Sequence, residues 1–275
     1  MAAVDPSRRL AERLRASGAP LDAEPLAAWQ WLRAAEGRSV TIIDLYDIAA
    51  AGRGLAAHEL PRAERRELAQ SALPFLWPNF EIAPQSARRD EPIEVVEADP
   101  DWGGTFARWR DRLADGLGVV ACRIEHVGST AVPGLAAKPT IDIQVSVDAP
   151  AEEHRYLPAL LRCGLQLCSR DDLHRFLLPP PSHPREVHVH VCAVGSVWER
   201  EHLLFRDYLR AHRDERGEYA AAKWTAARTW ADDRWAYTEA KSEVILALLG
   251  RAETWAGSVG WSVGPRVRPG PAPSG

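Results

Sequence analysis

Apolar residues recur at helical spacing through residues 8–16 and again through 26–35, where Trp29, Trp31 and Leu32 fall on the pattern. Two amphipathic helices are predicted there. The run 40–46 is apolar enough for a buried strand or for the start of a helix, and periodicity does not choose between them. Residues 59–73 are helical in pattern, with Pro61 in the first turn, where its missing N–H costs nothing. Residues 1–83 thus read as a mainly helical segment. Residues 84–90, with Pro84, Ser86 and a charged end, have no period and read as a linker, so the two regions should be separable.

Beyond the linker, strand and helix patterns alternate. Strands are expected at 93–97, 119–127 and 140–147, and helices at 102–116 and 151–163. Residues 185–192 alternate polar and apolar with period two, the mark of a half-buried strand. Three helices follow, near 198–212, 214–230 and 233–250. The tail 256–275 is dominated by Gly and Pro and is expected to be disordered. This order predicts an α+β fold, a small mixed sheet with helices packed on one side of it.

Composition narrows the class. The 275 residues are 46% hydrophobic and 26% charged, ordinary values for a soluble globular chain. A net charge of −4 gives no electrostatic reason to expect nucleic acid as a partner. No apolar stretch is long enough for a bilayer, and the first residues lack the apolar core of a signal peptide. The four cysteines show no Cys-x-x-Cys spacing, and Cys122 and Cys192 sit in strand-like runs as small hydrophobes. A reducing, cytoplasmic setting is expected. The eleven tryptophans are best explained by core packing.

Candidate chemistry concentrates in residues 124–145. Gly128-Ser129-Thr130 forms a turn whose N–H and hydroxyl groups suit phosphate oxygens. Asp142, opening the next apolar strand, can hold a divalent cation against the same phosphates. Lys138 precedes Pro139, whose ring biases it toward an extended backbone. It either reaches a phosphate, orients Asp142, or is a solvated loop lysine. His188 and His190 stand two apart on a strand and share a face. With Asp142, and with His126 just before the turn, they make a candidate metal site, the alternative being exposed polar positions. In the last helices Arg206 and Arg210, Tyr219 and Lys223, and Tyr237 and Lys241 are each four apart and therefore on one helix face. Converging cations suit a polyphosphate or carboxylate, while solvated faces are the other meaning of such pairs.

These residues carry a resemblance to a known family. The run 124–145, the approach 91–102 with Asp101-Trp102, and the helical stretches 203–212 and 236–242 resemble the GrpB family, whose fold is similar to that of the nucleotidyltransferases. The resemblance covers about residues 91–250. It implies an enzyme that uses a divalent metal (Mg or Mn) on a nucleotide such as ATP or on a phosphorylated small molecule. The reaction would be nucleotidyl transfer or ATP-dependent activation of a carboxylate. In such folds two carboxylates two residues apart hold the metals. Here Asp142 is flanked at that spacing by Thr140 and Gln144, and Glu186 on the later strand is the candidate second carboxylate. The alternative is an anion-binding or regulatory module that kept the fold, with residues 1–83 docking on a protein partner.

Overall fold

A computed structural model describes residues 6–20, 22–83 and 91–265. The chain divides into two compact units, one of residues 1–78 with 225–242, the other of 79–224 with 243–275. The expected division differs from this in two respects. A C-terminal stretch, 225–242, belongs to the helical unit, and residues 79–83 belong with the sheet. The expected linker, 84–90, lies outside the described residues.

The helical unit contains α1 (Pro6–Ser17), α2 (Pro25–Glu36), α3 (Ile42–Ala51) and α4 (Arg62–Leu76). The ambiguous run 40–46 resolves as a helix because Thr41 caps it. The Thr41 hydroxyl accepts from the Ile43 N–H at 3.2 Å, and Asp44 Oδ2 accepts from the Thr41 N–H at 2.7 Å, a capping box. The stretch 225–242 adds the end of α8 (Arg213–Thr229) and all of α9 (Arg234–Glu239). Trp230 packs 6.0 Å from the Tyr46 ring, and Trp235 packs 5.0 Å from Trp77. Arg65, 4% exposed, ties the pieces together. It donates to the His58 and Leu60 carbonyls and pairs with Asp232 at 2.6 Å and Asp233 at 3.3 Å. Asp233 in turn caps α9 through the Trp235 and Ala236 N–H groups.

The second unit holds a six-stranded sheet: β1 (Glu81–Ile82), β2 (Arg123–Val127), β3 (Ile141–Val147), β4 (Gln166–Arg170), β5 (His174–Leu178) and β6 (Val187–Ala193). The order is β1-β4-β5-β6-β3-β2, and only β3 and β6 run parallel. The expected strand at 93–97 is reduced to one bridge, Val96 with Ala137. Pro139, two residues further along the partner, has no N–H to extend that ladder. The β4–β5 hairpin was not legible, because a bulge between Leu167 and Ser169 breaks the alternation.

Helices α5 (Trp102–Leu117) and α6 (Leu157–Arg162) cover one face of the sheet. Ile141, Ile143, Val145, Val187, Val189 and Val191 point there and are buried with Trp109, Leu113 and Leu160. The opposite face carries Asp142, Gln144, Ser146, His188, His190 and Cys192. It lies against α7 (Val197–Ala211), so helices pack on both sides rather than one. The strand read as half-buried is covered on both faces. A second core joins Val132 and Leu135 to α7, α8 and α10 (Ser242–Val259). Residues 256–259, expected in a disordered tail, are helical, and Trp261 donates to Asp207 at 3.1 Å. The remainder of that tail, 266–275, lies outside the described residues. No described helix is long and apolar enough to cross a membrane.

The shared composition of the helical unit reverses the expected separability. A chain starting at Arg88 strips Tyr46 and Arg65 from Trp230 and Asp233, exposing Trp230, Ala236 and Tyr237 to water. It should aggregate or melt without a cooperative transition, as read by size-exclusion chromatography and calorimetry. A monomeric product with a sharp transition would show that 225–242 holds its fold alone.

Candidate functional site

The glycine turn and Asp142 are built against each other. Gly128 ends β2 with φ +70°, a conformation that side chains rarely adopt. A Cβ there would lie 3.0 Å from Asp142 Cβ and Cγ, and closer still to Oδ2. Only a glycine lets the chain pass that close to the carboxylate. Ser129–Ala131 then makes one tight turn before the loop returns to β3.

The parallel register sets Asp142 beside His188 and Gln144 beside His190. His188 Nδ1 lies 3.0 Å from Asp142 Oδ1, and His190 Nε2 lies 3.6 Å from it. One ligand atom from each of the three residues falls within 4.8 Å of the others, the spacing of a metal-binding group among the described residues. Two imidazoles and one carboxylate suit manganese, iron or zinc better than magnesium, which prefers oxygen ligands. Burial alone would raise the Asp142 carboxyl, but the hydrogen bond with His188 and the nearby His190 together outweigh it and hold the group well below the usual range. Burial lowers His188 to about 4 against the pull of Asp142. The carboxylate is therefore ionised and His188 neutral at ordinary pH.

Two expected members of this group are elsewhere. His126 pairs with Ile143 across the β2–β3 ladder, so the pleat points it to the α5 face, opposite Asp142. It stacks 4.7 Å from Phe106, with Nε2 3.0 Å from the Thr130 hydroxyl. Glu186 Oε1 accepts from the Trp109 indole at 3.0 Å and does not join the carboxylate of Asp142. The cluster thus holds one carboxylate, and histidines stand where a second was sought.

The cationic helix faces were found by their spacing, but they reach backbone rather than open space. Arg206 donates to the His126 carbonyl at 3.1 Å and pairs with Glu125 and Asp207. Arg210 Nε donates to the Ala131 carbonyl at 2.9 Å, and Arg216 to the Pro133 carbonyl at 2.7 Å. Lys223, buried, donates to the Ala136 carbonyl, with its ammonium 4.5 Å from the Tyr219 ring centre. Tyr219, pushed up to about 12 by burial, bonds the Ser129 side chain. These groups clamp the loop 128–138 from behind. Of the two arginines in the predicted pair, Arg210 keeps the more exposed guanidinium, at 41% against 11%. Lys138 is half-buried, and its charge helps lower His188. Tyr237 and Lys241 lie in the helical unit, where the Lys241 ammonium sits 4.1 Å from the Tyr237 ring centre.

Four neighbours of the cluster escaped sequence reading. Arg185 Nε donates to His188 Nε2 at 2.9 Å, and His174 Nε2 lies 2.9 Å from His190 Nδ1. Phe176 packs 5.2 Å from His190, and Trp198 stacks 5.0 Å from His174. His174 and Phe176 alternate on β5, a period-two signal too short to stand out between two turns.

Two measurements follow from this geometry. Gly128→Ala should cost about 1–3 kcal/mol in urea unfolding, from left-handed strain plus the clash with Asp142. An unchanged midpoint would mean that the turn relaxes freely. Burial lowers His126 to about 4, so the unfolded chain binds its proton near pH 6.5 and the native chain does not. This contribution is complete above about pH 6.5 and is lost as pH falls toward 4. His126→Gln should flatten the slope of stability against pH in that window by up to about 1.4 kcal/mol per unit. An identical slope would place the imidazole in contact with water.

The GrpB protein family model matches residues 92–251. The chain is 44% identical over 164 residues to a UPF0157 protein of Streptomyces coelicolor, covering 59% of this chain and 86% of that one. It is 39% identical over 180 residues to a UPF0157 protein of Pseudomonas aeruginosa, covering 64% and 74%. A dephospho-CoA kinase of Mycolicibacterium paratuberculosis is 31% identical over 198 residues, which span 62% of this chain and only 48% of that protein. The crystal structure of GrpB from Enterococcus faecalis superposes with a TM-score of 0.52 at 28% identity, over 59% of this chain and 99% of that one. The sheet unit has the nucleotidyltransferase-like fold of that neighbour, and the chain belongs to the GrpB family.

Proposed function

We propose that this protein is a nucleotidyltransferase-like enzyme acting on a nucleotide or another phosphorylated small molecule with a divalent metal. The observation that carries the reading is the convergence of Asp142, His188 and His190, with the Asp142 carboxylate packed against the glycine turn at Gly128. When bound, the metal supplies Lewis-acid stabilisation of a phosphoryl oxygen. The chain's own residues do the rest. Asp142 stays ionised, and Gly128 lets the turn that carries Ser129 pack directly against it. Arg210 donates through Nε to the Ala131 carbonyl and lies 3.5 Å from Asp207 through Nη1, with its side chain partly exposed beside the loop. Lys138 adds a second cation on the same loop. Mycobacterial proteins named dephospho-CoA kinase carry a similar stretch, which supports a nucleotide-related role. The reaction fits nucleotidyl transfer or ATP-dependent activation of a carboxylate.

The single carboxylate favours a second reading, an anion-binding or regulatory module that has lost turnover. The metal separates the two. ATP with Mn²⁺ or Zn²⁺ should raise the melting temperature by roughly 5 °C or more at a hundredfold excess over Kd, well beyond either alone. Asp142→Asn should abolish that gain while moving its own melting temperature by only a few degrees. Full stabilisation of the variant would remove Asp142 from the site, and metal-independent stabilisation of the wild type would favour the binding module.

A further inference from the structure

His190 takes its aim from the side away from Asp142. Its Nε2 stands 3.6 Å from Asp142 Oδ1, beyond a normal hydrogen bond, whereas its Nδ1 meets His174 Nε2 at 2.9 Å. The β5–β6 ladder brings the two rings together. Phe176 is level with His190 and His174 with Cys192, so His174 reaches His190 across the diagonal of the pair, on the same face. Stacking then holds both imidazoles. His190 packs 5.2 Å from Phe176 and 5.1 Å from His174, and His174 lies 5.0 Å from Trp198 with the ring planes 20° apart. Trp198 is itself stacked by His202 at 3.6 Å, and the His202 Nδ1 donates to the Trp198 carbonyl at 2.8 Å.

A hydrogen bond between two imidazole nitrogens needs one proton, and either ring can supply it. A metal removes that choice. Once His190 Nε2 gives its lone pair to the ion, the ring proton must sit on Nδ1, the atom that faces His174. His174 Nε2 then has to accept, and its own proton lies on its Nδ1. Whichever tautomers the free pair holds, the loaded pair has one arrangement, reached with no net proton gained or lost.

We infer that His174 is a positioning residue for the metal: its Nε2 accepts the Nδ1–H of His190 and so fixes both the tautomer and the direction of the ligand nitrogen. This rests on the proposed metal reading of Asp142, His188 and His190. Accepting that bond also makes His190 Nε2 a more basic ligand, the usual effect of an outer partner on a metal-bound imidazole. Carboxylates and backbone carbonyls commonly fill this place; here a second imidazole does so, held by the aromatic stack on Trp198.

The test uses the full chain with ¹⁵N-labelled histidine and Zn²⁺. In the Zn²⁺-bound protein His190 should carry its proton on Nδ1, and a scalar coupling should cross the hydrogen bond from that nitrogen to His174 Nε2. By calorimetry, His174→Phe keeps a stacked ring, removes the acceptor and should weaken Zn²⁺ binding by about 10–100-fold. His174→Gln places an amide oxygen where Nε2 stood and should recover most of that loss. It also removes the coupling, which assigns the pair. Equal losses in the two variants would assign His174 to packing alone and overturn the inference. Unchanged affinity in His174→Phe, or a proton on His190 Nε2 in the Zn²⁺-bound protein, would overturn it as well. Should His174→Phe fail to fold, the wild-type spectrum decides. Each of these adverse results leaves metal binding at the cluster standing, whereas failure to bind either Zn²⁺ or Mn²⁺ overturns both.

Discussion

A one-residue slip between β3 and β6 would send Asp142 toward α5 and leave His188 level with an isoleucine, Ile141 or Ile143. The site depends on that parallel pairing. Parallel strands slip less readily when both faces are spoken for, and here each face specifies the register by different means. On one side six aliphatic side chains interdigitate with α5 and α6. On the other, Asp142, Gln144 and Ser146 lie level with His188, His190 and Cys192. The apolar core therefore aligns the polar cluster without touching it. Hydrophobic burial, which has no direction of its own, becomes directional through the pleat.

Much of this was legible where a local rule applies. Period two put His188 and His190 on one face, and the close approach of Gly128 to Asp142 follows from a glycine before a short return loop. The same rule, carried across strands, misplaces His126. Its face is set by which residue it pairs with on β3, and the chain between them does not encode that pairing locally. Four-residue spacing found the clamping helix faces and mistook what they hold. A cation that suits a phosphate oxygen equally suits a carbonyl oxygen, and only tertiary structure tells them apart.

The helical unit shows another limit. Its boundary was drawn where periodicity fades, near residue 84, yet it is completed by residues 225–242. Helix α8 has a helical pattern on both sides of Trp224, so its passage from one unit to the other leaves no mark in the sequence. The buried Arg65, with partners both local and 167 residues away, is the physical reason the division runs where it does. A buried guanidinium without its carboxylates would be costly, so the two segments stand or fall together.

The clamps behind the glycine loop differ in kind from the other charged contacts of the sheet unit. Pairs such as Arg200 with Glu253 and Arg251 with Glu215 join opposite charges at the surface, where dissolved ions screen them. Arg210, Arg216 and Lys223 instead present charge to neutral carbonyls at Ala131, Pro133 and Ala136. Lys223 does so away from solvent. A short-range charge–dipole contact of this kind loses little to ionic strength. In concentrated salt the outer ion pairs loosen first, and the loop that frames Asp142 keeps its shape.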